Sequence, residues 1–392
     1  MKRRSTQNSL NSQKDVFLSA GSAGSALYVV VPGDLDARTG GYGYDRRIIA
    51  GLRDRGSTVN VLRLDGSFPT PTAAARAHAS DVLARIPDGS LVLVDGLALG
   101  ALPVEAEHEA GRLRVVALVH HPLAAETGID PALATALEIS ERRALAAVRS
   151  VVVTSRATAV KLADYGVTEN RITVVEPGTD RAPLARGSHH VGRVLLDPAA
   201  GGGSEKTRPA DVSLLCVATL TPRKGYGLLL SALTAIPQRN WRLTCAGSLD
   251  RDPPTVTRLR VQLQTSGLED RVSLAGDMDE AALGALYDRA DLFVLPTLYE
   301  GYGMAVAEAL ARGLPVVSTS TGAISALVGD DAGIIVPPGD LPALTNALSR
   351  VLGDPDLRGR LAAGACRVRD RLPTWETAAA AMAQALEREA RA

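Results

Sequence analysis

Two glutamates eight residues apart, Glu300 and Glu308, flank Gly301-Tyr302-Gly303-Met304. The apolar run Leu292-Phe293-Val294-Leu295 before them reads as a strand buried on both faces, stopped by Pro296-Thr297. An Ala-rich helix follows from about Met304 to Arg312; Gly313 ends it and Pro315 opens the next strand. Glu300 therefore sits on the loop past the carboxyl end of a parallel strand, where open α/β sheets bind ligands. Glu308 lies just over one turn into the helix, able to lean back toward its start. Gly301 and Gly303 let backbone N–H groups approach a ligand with no Cβ in the way, and a helix N-terminus suits a phosphate. An ordinary crossover with solvated acids has the same spacing, so the chemistry rests on what else reaches this loop.

A cationic loop and a histidine are the candidates. Thr219-Leu220-Thr221-Pro222-Arg223-Lys224-Gly225 joins a buried strand to a helix. Two adjacent cations at a helix N-terminus oppose its dipole, and a bound anion supplies the reason for them. Arg223 would fork to the anion's oxygens and Lys224 act as a point charge; a solvated Arg-Lys pair is the plain alternative. His120 ends an apolar strand and faces the cleft expected between two domains, as a ligand-facing group or as a satisfied polar side chain.

Other patterns carry less. Gly41-Tyr42-Gly43 opens like a dinucleotide fingerprint, yet Arg46 stands at the third glycine position. Asp34-Leu35-Asp36 has the form of a divalent-ion site, but Asp277-Met278-Asp279 and Asp354-Pro355-Asp356 repeat it, so all three read as turn or surface acids. His189-His190 stands in a Gly/Ser/Pro-rich stretch and reads as binding nothing. No metal site is expected.

The elements that position these residues alternate along the chain. Strands are expected at 27–31, 59–64, 91–95, 114–119, 150–154 and 172–175, with helices between them and a glycine-rich loop at Thr39–Gly43 ahead of a helix starting near Tyr44. A second series has strands at 214–218, 241–246, 272–274, 292–295, 316–318 and 333–336. Strict alternation makes each half a doubly wound parallel sheet, and two such domains leave a cleft for a ligand. The divisions are a disordered tail at 1–25, a first domain at 26–183 and a flexible linker at 184–211. A second domain follows at 212–373, and a helix at 374–392 crosses back to the first.

Composition bounds the rest. The 392 residues are 46% hydrophobic and 22% charged, long enough for two domains. Lys+Arg and Asp+Glu balance at 43 each and aromatics are 3%, which argues against a nucleic-acid partner. Cys216, Cys245 and Cys366 are widely spaced and odd in number, and read as thiols in a reducing compartment. The basic start Met1-Lys2-Arg3-Arg4 leads into a polar stretch with no sustained apolar region, so neither a signal peptide nor a spanning segment is expected. The expected location is the cytoplasm.

Taken together the pieces resemble glycosyltransferase family 4, retaining enzymes of the GT-B fold, over nearly the whole chain after about residue 26. The most specific part is Tyr299 to Met304 through Glu308-Ala309-Leu310-Ala311-Arg312-Gly313-Leu314-Pro315, which resembles the family's Glu-x7-Glu block. Supporting stretches occur in the family's order: Gly40-Gly41, the strand ending at His120, Val153-Thr154-Ser155, Pro177-Gly178-Thr179-Asp180, Arg223-Lys224-Gly225, Ala246-Gly247 and Gly333 to Asp340. There are departures. Thr219 stands where most relatives have arginine, Tyr302 replaces the commoner phenylalanine, and Gly322-Ala323-Ile324-Ser325-Ala326 replaces the usual Gly-Gly-x-x-Glu.

The resemblance implies a GT-B architecture of two Rossmann-like domains facing each other across a cleft. It implies a nucleoside-diphosphate sugar as donor substrate, with no cofactor and no metal. By similarity, Glu308 binds the ribose hydroxyls and Glu300 the transferred sugar, while the backbone at Tyr302, Gly303 and Met304 supports the sugar and diphosphate. Lys224 with Arg223 neutralises the diphosphate, Gly40 and Gly41 approach it from the first domain, and His120 lies beside the reacting sugar. The expected reaction moves a hexosyl group to an acceptor hydroxyl with retention and without a protein nucleophile. A GT-B-type epimerase or phosphorylase, and a nucleotide-sugar-binding protein without catalysis, remain the alternatives. The arginines at 46, 47, 53 and 55 leave a peripheral membrane contact open.

Overall fold

The computed structural model describes residues 26–187 and 211–391. The expected tail, the interior of the expected linker, His189-His190 and a short strand read at 194–196 lie outside the described residues. The first domain contains β1 (Leu27–Pro32), α1 (Gly40–Asp54), β2 (Val59–Leu64), α2 (Ala73–Ala84), β3 (Leu91–Asp95), α3 (Gly96–Leu99) and α4 (Pro103–Glu109). It continues with β4 (Arg114–Val119), α5 (Pro131–Ala147), β5 (Ser150–Val153), α6 (Arg156–Ala163) and β6 (Ile172–Val174).

The second contains β7 (Val212–Val217), α7 (Tyr226–Ala235), β8 (Trp241–Ala246), α8 (Pro253–Thr265), β9 (Val272–Gly276) and α9 (Glu280–Arg289). Then come β10 (Leu292–Leu295), α10 (Met304–Ala311), β11 (Val316–Thr319), α11 (Ile324–Val328) and β12 (Gly333–Val336). Helices α12 (Leu341–Gly353), α13 (Pro355–Arg369) and α14 (Trp375–Arg391) complete the chain.

Both sheets are parallel and six-stranded, in the orders β2-β1-β3-β4-β5-β6 and β12-β11-β10-β7-β8-β9. Near-continuous apolar runs explain why: β3 and β10 are buried at every position, so each needs helices on both faces. In each sheet the order reverses beside its first strand, between β1 and β3 and between β7 and β10, and the strand ends there open the crevices where such sheets take ligands. The second sheet is filled by Trp241, Phe293, Tyr287, Val306 and Leu310. One face of the first sheet is covered jointly by α1 and α14, with Tyr44, Ile48 and Leu52 in one cluster with Ala378, Met382 and Leu386. Residues 185–187 lie against the second domain, where the Ala185 amide donates to the Arg312 carbonyl (2.8 Å) and Arg186 pairs with Asp288.

One boundary differs from the sequence expectation in a way that matters for the site. The stretch read as a glycine-rich loop is the first turn of α1, which begins at Gly40 rather than near Tyr44. Thr39 caps it by accepting from the Tyr42 amide, and this cap starts the helix over three glycines that are poor formers elsewhere. The turn acids have plain duties: Asp279 and Asp354 cap α9 and α13, while Arg63 pairs with exposed Asp34 and Asp36. Arginines on α1 are engaged within the fold. Arg46 donates to the Leu35 and Ala37 carbonyls, Arg47 pairs with Asp180, and Arg53 donates to the Val59 carbonyl.

Candidate functional site

The loops after β7 and β10 meet at the second sheet's switch point. Pro222–Lys224 forms a tight 3-10 turn, and Gly225 starts α7 at φ +71°. A Cβ on Gly225 would stand 2.0 Å from the Pro296 carbonyl oxygen, so the two loops are in backbone contact. The Leu298 amide and the Thr297 hydroxyl both donate to the Arg223 carbonyl, at 2.7 and 3.0 Å. These bonds fix Lys224 against Glu300, Nζ to Oε2 at 2.5 Å, with Arg223 Nη1 at 3.9 Å from the same oxygen. Burial opposes the charge of both partners. It pulls Lys224 below the ordinary lysine value despite Glu300, whereas for Glu300 the two cations overcome burial and bring the carboxyl down.

Arg223 reaches across the cleft. Its Nε donates to Glu126 of the first domain (2.9 Å) and its Nη1 to the Tyr299 carbonyl (2.9 Å). Burial would raise the Glu126 carboxyl, but His121 and Arg223 bring it down to about 2, so it is anionic at neutral pH. Other contacts between the domains bear on the site. The His121 ring lies 5.9 Å from that of Tyr299, the Met304 sulfur faces Gly40, and Gly301 lies on the His120 carbonyl. A Cβ at Gly301 would fall 2.3 Å from that oxygen.

Helix α10 starts at Met304 behind Gly303, whose φ of +96° suits glycine, and no side chain caps its first amides. This helix start lies against Glu300, the partner of Lys224, and uncapped amides at a helix start accept an anion. One turn on, Glu308 accepts from the Tyr287 hydroxyl (3.0 Å); burial raises its carboxyl even though Tyr287 and Arg312 favour the anion. Tyr302 is buried, and its hydroxyl has no hydrogen-bond partner among the described residues.

From the first domain comes His120, one residue past β4. Gly41 lies flat on its ring: a Cβ there would touch Cδ2 at 3.5 Å and Nε2 at 3.7 Å. The structure thus joins Arg223, Lys224 and Glu300 in one cluster, and His120, Gly40, Gly41, Gly301 and Met304 along the domain contact. Glu308 makes its own contact with Tyr287. Sequence reasoning missed Asp45 and Asp95, which flank His120, as well as Glu126 and Tyr287. Asp95 had a signal, an acid closing an apolar strand at its carboxyl end. Glu126 had none, because its partner is 97 positions away.

A model of glycosyltransferase family 4 matches residues 90–182, and one of glycosyl transferases group 1 matches residues 211–354. The chain is 33% identical over 251 residues to a D-inositol 3-phosphate glycosyltransferase of Xylanimonas cellulosilytica, covering 62% of this chain and 58% of that one. It is 27% identical to an MMP alpha-(1->4)-mannosyltransferase of Mycolicibacterium hassiacum, covering 68% and 63%. The matched part therefore spans about three-fifths of these relatives' length. Among solved structures, sucrose-phosphate synthase from Thermosynechococcus elongatus superposes with a TM-score of 0.75 at 20% identity, over 93% of this chain and 98% of the other. Anabaena Alr3699/HepE in complex with UDP-glucose does so with a TM-score of 0.71 at 17% identity, over 92% and 99%. Those two likenesses concern the fold, and the family models cover parts of both domains. The chain belongs to glycosyltransferase family 4 and has the GT-B fold.

Proposed function

We propose that this chain is a retaining hexosyltransferase that takes its sugar from a nucleoside diphosphate and passes it to an acceptor hydroxyl without a metal. The observation that carries this reading is the half-buried Lys224–Glu300 pair beside the open start of α10, with the His120 backbone against Gly301 of the same loop. A departing diphosphate gathers negative charge. A fixed cation and uncapped helix amides stabilise that charge where it develops, which is the work a glycosyl transfer asks of its site. Lys224 then supports the leaving phosphate, and Glu300 holds a hydroxyl of the transferred sugar through its free lone pairs. Arg223 joins Lys224 when diphosphate displaces Glu126 from it. Glu308, already oriented by Tyr287, takes the ribose hydroxyls. Gly40 and Gly41, at the amino end of α1, approach the diphosphate from the first domain.

Support for the donor class comes from the neighbour bound to UDP-glucose and from relatives named as sugar transferases. The three free cysteines fit a cytoplasmic location. No helix among the described residues is long and apolar enough to cross a membrane.

The test is a thermal-shift screen of nucleoside-diphosphate sugars starting with UDP-glucose, followed by transfer assays in excess chelator with the anomer of the product read by NMR. A donor that binds raises Tm by mass action. Glu308→Ala is expected to weaken that donor's binding about 10- to 100-fold, the loss of hydrogen bonds to a charged group. Unchanged binding in Glu308→Ala, activity restored only by Mn²⁺, or an inverted anomer would each refute the part of the reading it addresses. Product analysis with donor alone, or with added phosphate, separates transfer from epimerisation and phosphorolysis.

A further inference from the structure

Beneath His120 lies a buried acid pair that the transfer reading leaves unused. Asp45 projects from α1 and Asp95 ends β3, at the switch point of the first sheet, and they are 2% and 4% exposed. Both approach the same imidazole atom: His120 Nε2 is 3.3 Å from Asp45 Oδ1 and 3.9 Å from Asp95 Oδ2. The other Asp95 oxygen is committed, accepting from the Leu97 amide at 2.6 Å. Neither Asp45 oxygen nor His120 Nε2 has a hydrogen-bond partner of good geometry among the described residues, and all three atoms are buried.

We propose that Asp45 and Asp95 are positioning residues that hold His120 with Nε2–H turned into the first domain, so that the ring stays an imidazolium and offers its other edge to the cleft as a charged hydrogen-bond donor. This rests on the reading of His120 as lying beside the reacting sugar.

Three observations support it. First, the ring cannot turn freely, because Gly41 covers its face and the Tyr44 edge meets it at a centroid distance of 5.3 Å and 85°. Its backbone carbonyl accepts from the Thr154 and Thr158 hydroxyls. Second, since Nε2 is buried, the 20% of the side chain still exposed belongs to its other atoms. Third, the charges that act on the ring itself are both negative. Asp45 faces it from α1 and Asp95 from β3, while the neighbouring hydroxyls of Tyr42 and Tyr44 are spent on the Pro32 and Val175 carbonyls. From the second domain, Gly301 backbone lies against the His120 carbonyl, and the Arg251 charge is felt at neighbouring Tyr42.

A buried carboxylate beside another acid ionises at greater cost. Burial and the Asp45 charge push Asp95 up to about 7. Burial also pulls the imidazole down, but Asp45 and Asp95 outweigh it and His120 ends above its ordinary value. A raised base keeps its proton as pH climbs past 6.5 and loses it only beyond its own shifted midpoint. The charged ring is therefore kept to higher pH than in a free imidazole, and replacing Asp45 lowers that midpoint.

The test is nitrogen-15 NMR of the histidine rings in the full chain, with His120→Gln assigning the signal among six histidines. Expected in the unmodified protein is a titration midpoint above 6.5 with the proton retained on Nε2 in the neutral form. Asp45→Asn should lower the midpoint by about one unit, the effect of one neighbouring charge, and Asp95→Asn by less. The alkaline limb of kcat should move down in parallel while the KM for the donor changes little. A midpoint below 6.5 in the unmodified protein, or a proton retained on Nδ1, overturns the proposal without any variant. An unchanged titration in folded Asp45→Asn also overturns it. The two acids and the imidazole lie within 4.8 Å, which is a cation's donor set as well; selective broadening of His120 by one equivalent of Mn²⁺ alone would mean a metal site instead. The ring titration needs no substrate. If it behaves as stated while no donor is used, the transferase reading fails and this one stands.

Discussion

Replacing Lys224 by alanine lowers turnover about 10²- to 10³-fold while nucleotide affinity falls far less, because the cation acts on charge that develops as the sugar departs. The geometry supports the asymmetry. Lys224 is held by Glu300 at 2.5 Å before any ligand arrives, so in the resting protein its charge is already countered. A diphosphate ester brings partial charge to the same place, and bond cleavage concentrates it on the leaving oxygen. Ground-state gain is then small and transition-state gain large. Alanine also leaves Glu300 half-buried with Arg223 3.9 Å away as the remaining cation at its carboxylate among the described residues. Some loss of stability follows, since an uncompensated buried carboxylate is costly. Lys224→Ala/Glu300→Gln removes that penalty, so the double variant regains Tm but not turnover. Steady-state kinetics with the donor found by thermal shift, alongside melting curves, make the check. If the single variant turns over at the normal rate, the site lies elsewhere.

The sequence revealed the sheets clearly because parallel strands buried on both faces leave uninterrupted apolar runs such as 91–94 and 292–295. The second-domain cluster was legible for a related reason. Lys224 and Glu300 follow strands that must neighbour one another once the order reverses, so two loop motifs 76 positions apart meet. What escaped were features set between domains or between faces. Arg223 reads as a free cation in its own loop, yet in the fold it is held by Glu126 on the opposite domain. Asp45 stands next to Arg46 and Arg47 in the chain, and nothing in that local pattern marks it as buried. Its burial depends on α1 starting at Gly40, which turns that face of the helix toward His120. Tyr287, the partner of Glu308, sits on a helix whose pattern gives no hint of an inward hydroxyl.

Gly301→Ala tests whether catalysis needs the two domains in the contact seen here. A Cβ at this position would lie 2.3 Å from the His120 carbonyl oxygen and 3.8 Å from the His121 Cβ, and the first is backbone that cannot swing aside. Unlike Gly303, Gly301 is not among the glycines with positive φ, so alanine brings no backbone strain of its own and the effect is confined to the domain contact. The first domain must withdraw by the better part of an ångström to reach an ordinary contact. That moves His120 away from the Glu300 loop while leaving the Lys224–Glu300 pair and the Glu308–Tyr287 contact intact inside the second domain. Misplacement of about 1 Å costs roughly 10²-fold in rate. The expected result is therefore a turnover near one hundredth of normal with donor affinity and Tm close to unchanged. Gly284→Ala, where a Cβ meets nothing within 4 Å, is the control and should be indistinguishable from the unmodified protein. Small-angle scattering of Gly301→Ala should report a slightly more open particle. Normal turnover in Gly301→Ala would show that the reacting groups do not depend on this closure. His120 would then lose its claim to a place beside the transferred sugar, because no other described contact carries the His120 backbone against the Glu300 loop.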